Sequence, residues 1–463
     1  MNRNVIGWCS FPEFHNGINI NENKMSNIDK GKLICELKTI HVTNLLKNLY
    51  KESFEKPSLP QAMGVIPLIN GKDVINQFNS GTGKTLTFVL GALFGLDLNN
   101  KSLQYIFMAN THEVARQIGE LIKKIVPDAK IILSIGQGNT SRSGSSNTRL
   151  NKSWATAKNN SADDSRTMTS NEMFESMHNG CQIIVGTIGR THALFDKEWK
   201  NSKSSFFKNV KMICLDEYDQ LVTPSTNTRR EEKSEDQKLL EIISMLPNYT
   251  QRAFFSATVI RGSDDIARKY FRNYKDCDVD PFMILMDEES QLLRGIRHFY
   301  VSHNFPQQKF ETIIDLLKEI NISQCIIFVN NKNTGYQLHD RMKAEGFDSV
   351  FFNNDCSSDD RLRMFEDLKA CRVRYVIGTD VIARGVDFQS VSMVINCDFP
   401  IEMDTYIHRI GRCGRFGRKG IAINLAVNDH YHQDMDKIAR INEVYKENQM
   451  NELINLNDLS AYL

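Results

Sequence analysis

The sequence predicts an α/β protein made of two doubly wound parallel-sheet domains in tandem, joined by a flexible linker. Three observations predict it. Short apolar runs recur along the chain and are continuous rather than alternating, as in strands covered by helices on both faces. Longer amphipathic segments separate those runs, which is the alternation that builds parallel sheets. The series also runs twice, and the polar stretch MDEESQLLRG (286–295) lies between the two.

The first series reads QYIFMAN (104–110), KIILSIG (130–136), CQIIVGT (181–187), VKMICLDE (210–217) and RAFFSAT (252–258). The second reads QCIIFVN (324–330), SVFFNN (349–354), VRYVIGT (373–379), SMVINCD (392–398) and GIAINLAV (420–427). A first domain over 31–285 and a second over 297–463 follow. Residues 1–30 are polar and Asn-rich, and are expected to form an extension that is poorly ordered or docks elsewhere. Residues 139–178, rich in Ser, Asn and Thr, interrupt the first domain. Their composition predicts a long surface loop, disordered or functional, with a short helix in MTSNEMFESM.

Composition narrows the function. With 57 Lys+Arg against 56 Asp+Glu the net charge is +1, so bulk attraction cannot hold a nucleic acid and any basic surface is local. No apolar run reaches the ~18–20 residues that span a bilayer, and MNRNVIGWCSFPEF is too polar for a secretory core. The ten cysteines form no CxxC pair, which supports neither a zinc nor a redox site and fits a reducing cytoplasm or nucleus.

The sharpest local signal is Ser80-Gly81-Thr82-Gly83-Lys84-Thr85 ahead of an apolar helical run. Its glycines let backbone N–H groups turn toward phosphate oxygens at a helix start. Lys84 would sit on the outer phosphates and Thr85 would offer a hydroxyl to Mg²⁺. Asp216-Glu217 closes the run VKMICL, at the strand end where open sheets bind ligands. Asp216 could hold Mg²⁺ through water and Glu217 polarise a water; taken alone, the pair reads more simply as a helix N-cap. Together the two motifs indicate nucleoside triphosphate hydrolysis. In HRIGRCGR (408–415), Arg409, Arg412 and Arg415 are three apart, so on one helix they would share a face with no acids interleaved. Arg412 and Arg415 then read as arginine fingers aimed across a domain cleft at the γ-phosphate.

SGTGKT, LDEYD, SAT (256–258), VIARGVD (381–387) and YIHRIGRCGRFGRKG (406–420) resemble the ordered motifs of the DEAD-box RNA helicases. FEKPSLPQ (54–61) is similar to that family's Q motif. The resemblance covers roughly residues 33–460 and is nearest to the branch of translation initiation factor 4A and the mRNA-export helicases. It implies two RecA-like domains, with ATP and Mg²⁺ as cofactors. It implies that Gln61 bonds adenine, Phe54 packs on its face and Asp387 contacts the ribose. It implies that Ser256, Thr258, Asp219 and His408 couple hydrolysis to closure. It places Thr111, Thr187, Arg190, Arg361 and Thr379 on RNA, either a single strand or a short duplex. A monomer, a protein activator and no membrane contact complete that expectation.

The chain departs from the family at Tyr218 (for Ala), Phe78 (for a small residue), His112 (for Arg) and Asn110 (for Pro). Phe78 and Tyr218 either pack together in compensation or both slow closure. An ATP-gated RNA clamp with little turnover is the alternative to an RNA-stimulated ATPase that separates short duplexes or remodels RNA–protein complexes.

Overall fold

The computed structural model describes residues 18–20, 40–136, 168–222, 233–258, 269–271, 281–286, 295–353, 355–356, 358–380, 382, 391–414, 419–429, 433–446, 448–454 and 459. In chain order the first half carries β1 (Ile18–Ile20), α1 (Ile40–Lys51), α2 (Leu59–Ile69), β2 (Val74–Gln77), α3 (Lys84–Leu93), β3 (Tyr105–Met108), α4 (His112–Ile125), β4 (Ile131–Ser134), α5 (Ser170–His178), β5 (Ile183–Gly186), α6 (Ile188–Ser202), β6 (Met212–Asp216), α7 (Tyr218–Leu221), α8 (Glu235–Met245), β7 (Gln251–Ser256) and β8 (Phe282–Met286). The second half carries β9 (Ile296–His303), α9 (Gln308–Glu319), β10 (Gln324–Phe328), α10 (Lys332–Ala344), β11 (Ser349–Phe352), α11 (Ser358–Lys369), β12 (Tyr375–Gly378), β13 (Val391–Asn396), α12 (Met403–Ile410), β14 (Gly420–Val427), α13 (Asp434–Val444) and β15 (Asn451–Glu452).

Two sheets result, in the order β1-β8-β2-β7-β6-β3-β5-β4 and β11-β12-β10-β13-β14-β9-β15. Every pairing is parallel except β1 with β8. In that exception Ile18–Ile20, within the N-terminal extension, pair antiparallel with Ile284–Met286 at the sheet edge; the rest of 1–30 lies outside the described residues. The helix expected in MTSNEMFESM is present as α5, opened by a Thr169/Glu172 capping box; residues 139–167 of the expected loop lie outside the described residues.

Both faces of each sheet are covered. Along β6, Met212 and Cys214 enter the core shared with α1–α4, while Ile213 and Leu215 enter the core shared with α5, α6 and α8. In the second sheet Ile326 and Phe328 face α11–α13, and Cys325 and Ile327 face α9 and α10. Alternate residues thus feed opposite cores, so the strands read as unbroken apolar runs. Phe78 lies in the first of these cores and Tyr218 in the second, against Phe254 with ring centroids 5.5 Å apart. The two substitutions sit on opposite faces of the first sheet and do not compensate by contact.

Candidate functional site

The chemistry-bearing residues gather at the carboxyl ends of the parallel strands, where open α/β sheets bind ligands. The glycine loop follows β2, the acidic pair ends β6, Ser256 ends β7, and Thr111 and Thr187 follow β3 and β5. Gly81 (φ 74°) and Gly83 (φ 102°) hold the loop in left-handed conformations open to glycine at little cost. Ser80 and Lys84 are buried, and Lys84 Nζ donates to the carbonyls of Phe78 and Asn79 at 2.6 and 2.9 Å. Thr82 Oγ1 donates to Asn79 O at 2.7 Å, and Thr85, second in α3, is half-buried. Gln61 Nε2 donates to Gly83 O at 3.3 Å, and its Oε1 accepts from Ser58 N at 2.8 Å. The Q-motif glutamine therefore braces the loop from one side, with Phe54 half-buried against the same core.

Asp216 and Glu217 are both buried. Burial first, and then the neighbouring Glu217, push the Asp216 carboxyl up to about 7, while Lys84 pulls it down. Glu217 is held at φ 52°, in the left-handed region, and its Oε2 is buried without a hydrogen-bond partner. A dry carboxylate pair beside a lysine, with one orphaned oxygen, fits a hard cation that takes oxygen ligands from protein and phosphate together. Among the described residues no cluster of three His, Cys, Asp or Glu could hold a metal by itself.

Asp219, on α7, accepts from Ser256 Oγ at 2.8 Å and from Thr258 Oγ1 at 3.2 Å. His408 Nε2, from the second lobe, stands 4.0 Å from Asp219 Oδ2. Arg412, 1% exposed, crosses the cleft and donates through Nη2 to Ser80 Oγ at 2.8 Å. Arg409 and Arg412 do not share a helix face as expected, because α12 ends at Ile410 with Gly411 as its C-cap. Arg409 turns inside the second lobe instead. It donates to Asp380 Oδ1 (2.6 Å), Asn330 Oδ1 (2.7 Å) and Asp398 O (2.8 Å), each just beyond the end of β12, β10 or β13. Arg415 and Asp387 lie outside the described residues.

A second group forms at the strand ends beside this cleft. Thr111 caps α4 by accepting from Val114 N at 3.3 Å. Thr187 and Arg190 are half-buried around the start of α6, and Thr379 is half-buried after β12. Arg361 Nε, on α11, faces Glu113 of the first lobe at 3.6 Å, a cross-lobe ion pair that spacing alone did not reveal. Burial lowers the His112 pKa; Glu113 opposes this, and Arg361, Arg116 and Arg190 add to it, so three arginines from both lobes share one field around this ring. Such a local basic patch is compatible with a net charge near zero.

Comparison with known proteins agrees with this geometry. The DEAD/DEAH box helicase family model matches residues 59–266, and the helicase conserved C-terminal domain matches 308–417. A protein of Acanthamoeba polyphaga mimivirus, named as an ATP-dependent RNA helicase, is 35% identical over 96% of this chain and 84% of its own length. The ATP-dependent RNA helicase FAL1 of Saccharomyces cerevisiae is 33% identical over 87% of this chain and 88% of its own. Among solved structures, S. cerevisiae Dbp5 bound to RNA and ADP BeF3 matches with TM-score 0.72 at 26% identity, covering 92% of this chain and 97% of that one. Dbp5 bound to Gle1 and IP6 matches with TM-score 0.65 at 26% identity, covering 92% of this chain and 96% of that one. No helix among the described residues is long and apolar enough to cross a membrane.

Proposed function

We propose that this chain, which belongs to the DEAD-box family of ATP-dependent RNA helicases, hydrolyses ATP in the cleft between RecA-like domains spanning residues 31–285 and 297–463 and couples that cycle to gripping single-stranded RNA. The observation that carries this reading is the Arg412–Ser80 hydrogen bond, which brings a guanidinium of one lobe onto the glycine loop of the other. A triphosphate on that loop would meet charge from both sides, and the γ-phosphate is where charge develops in transfer.

The proposed roles rest on the positions of the described residues together with the family resemblance, and for Arg415 and Asp387 on the resemblance alone. The loop amides and Lys84 cradle the phosphates, with Lys84 exchanging two loop carbonyls for phosphate oxygens. Thr85 and Asp216 would hold Mg²⁺ together with the nucleotide, and the ion would supply charge neutralisation at the phosphates. Glu217 presents its orphaned oxygen to the attacking water. Arg412, together with Arg415, completes the cage from the second lobe. Gln61 and Phe54 recognise adenine, and Asp387 takes the ribose. Asp219, Ser256, Thr258 and His408 report closure to the acidic motif, through the Ser256 and Thr258 hydrogen bonds to Asp219 and the 4.0 Å approach of His408 to the same carboxylate.

Thr111, Thr187, Arg190, Arg361 and Thr379 hold RNA by sugar and phosphate, without reading bases. A closed groove that accepts only a bent single strand forces a short duplex to lose pairs, and phosphate loss reopens the cleft. A protein activator is part of the proposal, supported by the likeness to a Dbp5 structure described with Gle1. We place the chain as a monomer in the cytoplasm or nucleus. Steady-state ATPase measured with and without single-stranded RNA tests the reading. RNA-stimulated turnover supports it. ATP-dependent RNA retention without turnover would show the clamp instead, and absence of nucleotide binding would overturn both.

A further inference from the structure

Asn110 lies between β3 and Thr111, and its Nδ2 donates to Oε1 of Gln220, a residue 110 positions away on α7. The two segments it joins do different work. Asn110 precedes the cap of α4, whose first turn carries His112 and Glu113, the latter facing Arg361 across the cleft. Gln220 lies one residue beyond Asp219 in the single turn that leaves the acidic pair, and its N–H donates to Glu217 O at 3.1 Å. One side-chain bridge therefore ties the phosphate-facing turn to the mouth of the basic patch. The DEAD-box family's proline at position 110 has no side-chain donor, so this bridge belongs to the present chain rather than to the family pattern.

We propose that Asn110 and Gln220 are positioning residues that couple nucleotide binding to RNA binding. The proposal rests on the reading that ATP and RNA occupy the two groups of residues described above. α7 is one turn long and starts from a left-handed residue, so it has little helical cooperativity of its own. A tether from its third residue to the strand end before Thr111 makes displacement of either segment displace the other. The remaining amide nitrogen, Gln220 Nε2, is buried without a partner. The amide can thus be reversed, which gives the bridge a second, testable polarity.

The measurement is the ratio of RNA affinities with and without a non-hydrolysable ATP analogue, using a single-stranded homopolymer and the full chain. That ratio is a coupling free energy and does not move when a substitution weakens RNA binding uniformly. Asn110→Ala and Gln220→Leu are each expected to reduce it about three- to tenfold, the range of one hydrogen bond, and the double variant no further than either single one. Asn110→Asp is expected to retain it, because the reversed Gln220 amide donates Nε2 to the carboxylate. Unchanged coupling in both single variants, additive losses in the double variant, or loss in Asn110→Asp equal to that in Asn110→Ala would each overturn the bridge. A wild-type chain that binds ATP and RNA without any coupling would overturn the cycle proposed above as well.

Discussion

Arg412 and Ser80 are 332 residues apart in sequence and 2.8 Å apart in space, joined by a guanidinium–hydroxyl hydrogen bond across the cleft. The bond places a cation, 1% exposed, at the rim of the loop expected to cradle phosphates. Low dielectric strengthens its effect on developing charge.

Arg412→Lys keeps the charge and loses the fork. Turnover is expected to fall by about 10²–10⁴-fold while ATP affinity changes by less than about tenfold, because the interaction is realised in the transition state. RNA-stimulated kcat set beside the Kd of a fluorescent nucleotide separates the two.

Gly83→Ala should weaken ATP binding by more than about tenfold. A methyl there must adopt φ 102° and would stand 2.5 Å from Gln61 Nε2 and 2.8 Å from Ser58 Oγ. Gly71 is also left-handed, at φ 72°, but a Cβ there meets nothing within 4 Å. Gly71→Ala should cost only ~1–2 kcal/mol of stability and leave nucleotide affinity unchanged in the same titration.

Tyr218→Ala restores the residue typical of the family and is expected to destabilise this chain. The side chain is 1% exposed and packs on Phe254, with ring centroids 5.5 Å apart. Removing a buried ring costs about 3–5 kcal/mol, read as a lower urea midpoint with an unchanged slope.

RNA affinity should depend on pH through His112. Its pKa lies below the ordinary 6.5, so the ring is neutral at pH 7.5 and the cationic form appears only as pH falls through the lowered value. Affinity gained from this contact is present on the acid side and lost as pH rises. His112→Arg should flatten that dependence, tighten RNA binding at pH 7.5 by about three- to tenfold, and steepen the salt dependence by about one counterion.

Ten strands were legible as unbroken apolar runs because alternate residues of each feed opposite cores. β2 was not, since it ends in Asn76 and Gln77, polar residues that are nonetheless buried at 0% and 1% exposure. β9 mixes Arg297 and Ser302, exposed because only the two-residue β15 lies outside it in the sheet, with His298, which is buried within hydrogen-bond distance of the Tyr406 hydroxyl. The glycine loop and acidic pair were legible because strand-end chemistry needs few residue types at short spacing. Arg409 misled the reading: three-residue spacing implies a shared face only while the helix lasts, and α12 stops at Ile410. The Glu113–Arg361 and Asn110–Gln220 pairs join distant segments, and local periodicity carries no signal for either.

The Arg409 network bears on how mutagenesis of this motif is interpreted. One guanidinium pins the tips of three neighbouring strands, so it acts as a keystone for the second lobe, and truncating it strands Asp380 and Asn330 without their shared donor. An inactive Arg409 variant would therefore report a slackened scaffold rather than a missing chemical step, and only a folding assay run beside it could tell a broken frame from a broken engine.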